Sequence, residues 1–98
     1  MSSFATEIIQ VPPILGLTLT DELLTVTLAD GRIISVPIAW YPRLLHGSPA
    51  ERDRWEISPN QTGIHWPDLD EDISVKNLLL GQPSGESQRS LQAWLDQR

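Results

Sequence analysis

Between Leu15 and Ile38 the chain alternates apolar and small polar residues with a period of two, and this alternation constrains the fold more than any other feature. Leu15, Leu17 and Leu19 alternate with Gly16 and Thr18. Leu24, Val26 and Leu28 alternate with Thr25 and Thr27, and Ile34, Val36 and Ile38 follow Asp30-Gly31. Successive side chains of a strand point to opposite faces, so each run predicts a strand with one apolar face. Parity then selects the loops. A two-residue Asp30-Gly31 loop would pair Leu28 with Ile33 and set the apolar groups on opposite faces. A three-residue loop, Ala29-Asp30-Gly31, pairs Val26 with Ile34 and Leu24 with Val36, keeping one face apolar. Gly31 then takes the left-handed position of a type I turn with a bulge. At the first turn the same test selects Asp21-Glu22, pairing Leu19 with Leu24 and Leu17 with Val26. A three-stranded antiparallel meander results, with a Thr/Ser-rich outer face on which Leu23 and Ile33 are exceptions.

Prolines punctuate the remainder. Pro12-Pro13 ends a short leader with an extended bias, a strand or arm rather than a helix. Pro37 cannot donate to a ladder, so the third strand is an edge there or leaves the sheet. Pro42 suits the first turn of a short helix carrying Arg43, Leu44 and Leu45, closed by His46-Gly47. Ser48-Pro49-Ala50-Glu51 combines a serine cap, a proline at the first helical position and a glutamate three residues after the cap. It predicts a helix running to Trp55 or Glu56. Ile64-His65-Trp66 reads as a short strand stopped by Pro67, and Asp68–Asp72 as an acidic bend. Ser74 then caps a short helix through Leu80, with Gly81 just past its end. Gln82–Glu86 reads as a flexible connector, and Leu91, Trp94 and Leu95 recur at helical spacing in the tail. The expected fold class is α+β: a three-stranded antiparallel meander with short helices packed on one face, an additional short strand and a C-terminal helix. Residues 1–81 form one small domain, and 82–98 a connector with an amphipathic helix.

The chain of 98 residues carries 13 acids against 7 Lys and Arg, a net charge of −6. Nucleic-acid binders need a basic footprint to neutralise phosphate, and here even Arg52 and Arg54 are interleaved with Glu51, Asp53 and Glu56. Direct nucleic-acid binding is therefore disfavoured, and a basic protein partner suits the acidic balance better, although such a charge also serves plain solubility. With no cysteine there is neither a disulfide framework nor a thiolate zinc site. No apolar run reaches the roughly 20 residues of a membrane span, and residues 1–10 lack a signal-peptide layout. The expectation is a cytoplasmic protein with no cofactor.

The polar constellations have structural readings that outweigh catalytic ones. Asp68, Asp70, Glu71 and Asp72 invite a cation, yet a calcium-hand loop starting at Asp68 needs glycine where Ile73 stands and glutamate where Leu79 stands. Asp70 or Asp72 is expected instead to accept backbone N–H bonds at the start of the next helix. His65 points away from Ile64 and Trp66, and no nucleophile-elbow motif accompanies it. A hydrogen-bonded structural residue or one side of a contact surface is the reading for it, with a small enzyme or ligand site centred on His65 as the alternative. Arg43 is expected to bracket the acids at 68–72, since a guanidinium suits bidentate carboxylate contact. Trp40, Trp55 and Trp66 are read as a joint between sheet and helix. Trp94 divides evenly between packing on the domain and anchoring a partner, together with Leu91 and Leu95.

Asp30-Gly31-Arg32, Val36-Pro37, Trp40-Tyr41-Pro42-Arg43-Leu44, Glu51-Arg52, Trp55-Glu56, Gly63-Ile64-His65-Trp66-Pro67 and Leu69–Val75 stand in an order that resembles the bacterial and phage family known as domain of unknown function 2442. The resemblance spans about residues 14 to 81. It implies a small α+β domain on an antiparallel sheet and frequent genomic pairing with another small protein, an arrangement read as toxin–antitoxin. It brings no catalytic residues. Some relatives continue into a helix-turn-helix, which makes a transcription-linked regulator a further alternative, but the tail here holds one helix. The expected function is a non-catalytic protein-interaction module, antitoxin-like, that covers a basic toxin-like partner from a neighbouring gene. A homodimer through the third strand stays open, with Pro37 opposing a long pairing.

Overall fold

The computed structural model describes residues 11–98, so the reading of the leader at 1–10 falls outside the described residues. The alternating segments form a three-stranded antiparallel sheet, β1 (Ile14–Leu19), β2 (Leu23–Leu28) and β3 (Ile33–Pro37), in that order. Its register is the one that parity demands: Leu17 faces Val26, Leu19 faces Leu24, Val26 faces Ile34 and Leu24 faces Val36. Thr20 N donates to Leu23 O at 2.9 Å around Asp21-Glu22. Gly31 N donates to Leu28 O at 3.0 Å, and its φ of +96° is a conformation that glycine adopts without a Cβ penalty.

One register detail departs from the expectation. A bulge lies between Ile14 and Gly16, and an extra residue in a strand reverses the facing of everything before it. Ile14 is therefore buried, while Leu15 is 67% exposed instead of joining Leu17 and Leu19. Ile14 N donates to Gln61 O at 2.8 Å, tying the start of β1 to the loop ahead of the second sheet.

That second sheet is antiparallel and ordered β4 (Glu56–Ile57), β5 (Gly63–Trp66) and β6 (Glu71–Ser74). Only β5 is legible in the sequence. Two residues are too few to show alternation, and Glu71-Asp72 looks like the end of an acidic bend. Ile73 makes β6 a strand, because it lies opposite Ile64 and both are buried. The helix from Ser48 is shorter than expected for the same reason. Its capping box is present, but α2 (Pro49–Arg52) ends before Trp55 and Glu56, since Glu56 and Ile57 pair with His65 and Ile64.

A 3-10 turn at Ile38–Trp40 leads into α1 (Pro42–His46), which ends at Gly47. Helix α3 (Val75–Leu79) is capped by Ser74, whose Oγ accepts from Asn77 N at 3.1 Å. Neither Asp70 nor Asp72 makes that contact, contrary to expectation: Asp70 lies in the turn ahead of β6, and Asp72 lies within β6, opposite His65. The core joins Leu24, Val26, Leu28 and Val36 of the first sheet to Ile64, Trp66 and Ile73 of the second, with Leu44, Leu69, Val75 and Leu78 between them. Trp66 is fully buried and its indole N–H donates to Arg52 O at 3.0 Å. Trp40 and Trp55 lie half-buried against the same core.

The segment read as a flexible connector is tied down. Ser84 N donates to Trp40 O at 3.0 Å, and Glu86 pairs with Arg43. Helix α4 (Gln88–Asp96), capped by Ser87, leaves Leu91, Trp94 and Leu95 half-buried on one side. Trp94 packs on the core, so of its two readings the structure realises the docked one.

Candidate functional site

The acidic residues 68–72 form the turn of the β5–β6 hairpin and its second strand. Leu69, in the middle of the turn, is 0% exposed. It is seated where Gly47 ends α1: a Cβ on Gly47 would stand 2.8 Å from Leu69 Cδ1. Leu69 N donates to Trp66 O at 3.2 Å. Asp70 then turns the chain with φ at +49°, a left-handed conformation that aspartate tolerates better than most residues. An apolar plug beneath and a tight turn above thus hold Asp70 and Asp72 outward, their side chains 83% and 78% exposed.

Each of these acids has one cationic or imidazole neighbour. Asp68 takes Arg54 Nη1 at 2.9 Å, Asp70 lies 3.5 Å from Arg43 Nη1, and Asp72 Oδ1 is 2.8 Å from His65 Nδ1. Glu71 differs. It is half-buried, and among the described residues its carboxylate has no ion pair or side-chain hydrogen bond. Burial pushes its pKa up to about 7; the negative charges of Glu86, Asp72 and Asp70 add to this and Arg43 opposes it. A cavity of about 130 Å³ lies there, lined by Glu71, Tyr41, Asn77 and the connector residues 82–85. Burial first and the Glu71 charge second push the Tyr41 phenol up as well.

Arg43 is the bracket expected, with a different principal partner. Its Nε and Nη2 donate to the Glu86 carboxylate at 2.9 and 2.6 Å, and Nη1 donates to the carbonyls of Leu69 and Asp70 at 3.4 and 3.3 Å. The guanidinium lies 5.0 Å from the centre of the Trp94 ring, and Arg98 lies 4.5 Å from that ring. Arg98 also pairs with Glu51. Tyr41, Arg43, Asp70, Glu71 and Trp94 therefore meet at one joint between hairpin and tail. Trp40 reaches the tail through its carbonyl, which accepts from Ser84 N, Trp66 lies in the core, and Leu91 and Leu95 flank Trp94 on α4. No local signal marks Glu86, since an ion pair across 43 residues leaves no spacing to read.

The outer face of the second sheet carries the remaining polar residues. Register sets Glu56, His65 and Asp72 in one row across the strands. Ser58, Gly63 and Ser74 make the next row, since Ser58 N donates to Gly63 O at 2.9 Å and Gly63 pairs with Ser74. An open cleft of about 260 Å³ is lined by Ser58, Gly63, His65, Asp72, Ser74 and Asn77, with Ile64 and Ile73 contributing to its floor. Ser58 Oγ bonds Asn60 Oδ1 at 2.7 Å and accepts from Gly63 N at 3.0 Å. Among the described residues no set of three His, Asp or Glu side chains is arranged to hold a metal ion. No described helix is long and apolar enough to cross a membrane.

The arrangement of two small sheets around these motifs has counterparts. The model of the family described as "Protein of unknown function (DUF2442)" matches residues 16–84. The chain belongs to this family. The match extends past Gly81 to the connector that Arg43 holds. Two solved structures share the family member's fold. An uncharacterised protein of Chromobacterium violaceum, solved by solution NMR, superposes with a TM-score of 0.63 at 21% identity, over 74% of this chain and 69% of that one. A protein of unknown function from Rhodospirillum rubrum, solved by crystallography, gives 0.67 at 23% identity, over 79% of this chain and 95% of that one. No curated protein matches the chain.

Proposed function

We propose that this DUF2442 domain is a non-catalytic protein-interaction module whose contact element is the acidic β5–β6 hairpin. The observation that carries the reading is the plug of Leu69 under Gly47. It fixes a turn whose Asp70 and Asp72 face solvent, so that little ordering entropy remains to be lost on contact. Complementary charge steers encounter and selects a basic partner. The antitoxin-like form of this reading, with a toxin-like partner from a neighbouring gene, draws on the genomic pairing that the family resemblance implies. A non-catalytic role accords with Ser58, whose hydroxyl, in the cleft that holds His65, is already bonded to Asn60.

The test is co-expression of the full chain with the product of its adjacent gene, followed by copurification and a growth assay. The expected result is a complex that weakens with salt and is lost when Asp68, Asp70 and Asp72 are all changed to Asn. Relief of growth arrest would support the antitoxin-like form. A complex indifferent to those three substitutions would refute the hairpin as the contact element.

A further inference from the structure

The cleft on the outer face of the second sheet exists because the middle of one cross-strand row is a glycine. Glu56–His65–Asp72 fills its row with long or ring side chains, whereas Ser58–Gly63–Ser74 leaves a depression between two small ones. The hydroxyls at its rim are engaged, Ser58 with Asn60 and Gly63, Ser74 with the backbone of α3. Other polar capacity at the rim is open. Asp72 gives Oδ1 to His65 and, among the described residues, Oδ2 has no partner. The Asn77 side-chain amide, at the α3 side of the cleft, likewise has none there.

We propose that this cleft receives an arginine side chain of the protein partner. The inference rests on the interaction reading above and extends it from the hairpin turn to the adjoining sheet face. A guanidinium offers five N–H donors in a planar fork, enough to pair with the Asp72 carboxylate and leave donors for the Asn77 carbonyl in the same lining. A lysine ammonium is a compact, strongly hydrated charge and cannot span two such acceptors as a rigid plane. The apolar stem of the arginine would lie in the depression over Gly63, its length sheltered by the floor of β5 and β6. The charge of the site agrees, because Asp72 is the acid that lines the cleft and the chain is acidic overall.

The experiment is an NMR titration of the full chain with N-acetyl-arginine amide, using the uncharged N-acetyl-citrulline amide and N-acetyl-lysine amide as controls. One charge-assisted fork at a partly open site predicts a Kd on the order of a millimolar. The expected result is saturable shifts confined to Gly63, His65, Asp72 and Asn77, absent with citrulline and weaker with lysine. Gly63→Leu, which fills the depression, and Asn77→Ala, which removes an exposed amide, should each weaken binding severalfold. Asn77→Ala carries the test should Gly63→Leu disturb folding. Diffuse shifts of equal size in both variants would mean general charge attraction and overturn the proposal, as would no shift at all. A partner complex that forms normally with both variants would also overturn it while leaving the interaction reading intact. Loss of the complex from the parent protein would remove that reading, whatever the titration showed.

Discussion

Changing Glu86 to Gln should release the tail from the domain, and the size of the effect can be worked from the Arg43 bracket. The pair is largely covered, with side-chain exposures of 14% for Arg43 and 12% for Glu86. Breaking a fully enclosed ion pair by removing one partner costs about 3–5 kcal/mol, whereas exposed pairs contribute about 0–1 kcal/mol. Here Arg43 would keep two carbonyl contacts and the more distant Asp70, and a glutamine would still accept one hydrogen bond. Ser90 would lose a charged acceptor now 2.8 Å away. A loss of about 2 kcal/mol in docking of residues 82–98 follows, between those two limits. Undocking is local, so the global unfolding midpoint can fall by no more than the free energy with which the tail is docked. The assay is amide hydrogen exchange at Leu91–Trp94 together with urea unfolding, in Glu86→Gln, Arg43→Met and the double variant. Expected are exchange in α4 roughly thirtyfold faster, by 1.4 kcal/mol per factor of ten, and a double-mutant coupling above about 1 kcal/mol. Unchanged α4 exchange in both single variants would refute the bracket as the element that holds the tail.

Two further perturbations probe the same joint. Glu71 holds its proton more tightly folded than unfolded, since its carboxyl is pushed from 4.5 up to about 7. The stability linked to that proton is fully present below about pH 4.5 and is lost as pH rises through 7. Discounted for its half-exposed setting, the loss is about 1–2 kcal/mol. Urea midpoints at pH 5.5 and 8.5 should converge in Glu71→Gln relative to the parent, and an identical pH dependence in the two proteins would count against the buried, unpaired carboxyl. Gly47→Ala places a methyl 2.8 Å from Leu69 Cδ1 and 3.3 Å from Arg43 O. Overpacking of this kind costs about 1–3 kcal/mol, read as a lowered urea midpoint with altered amide shifts at 68–72. A spectrum unchanged at the hairpin would mean that Leu69 is not its pin.

By itself the sequence determined the first sheet almost residue by residue, because period-two burial and turn parity are local properties. Leu17, Leu19, Leu24, Val26, Ile34 and Val36 pair as alternation requires. The Ser48–Glu51 capping box and the Ser74 cap were legible for the same reason: donor and acceptor lie three residues apart. The family resemblance, carried by the tryptophan–proline motifs, was legible as well. Tertiary structure decided what depends on contacts distant in sequence. A two-residue strand at Glu56–Ile57 has no pattern of its own and exists only because β5 offers an edge. The bulge that exposes Leu15 accompanies a hydrogen bond from Ile14 to Gln61, across 47 residues. Glu86 stands in a Gly/Ser-rich stretch whose composition signals mobility, and the Arg43 guanidinium converts that stretch into a docked strap. His65 meets Asp72, and Leu69 meets Gly47, only once the chain has folded. Local periodicity and capping thus specified the elements, while long-range burial and ion pairing decided which residues stand together at the joint and in the cleft.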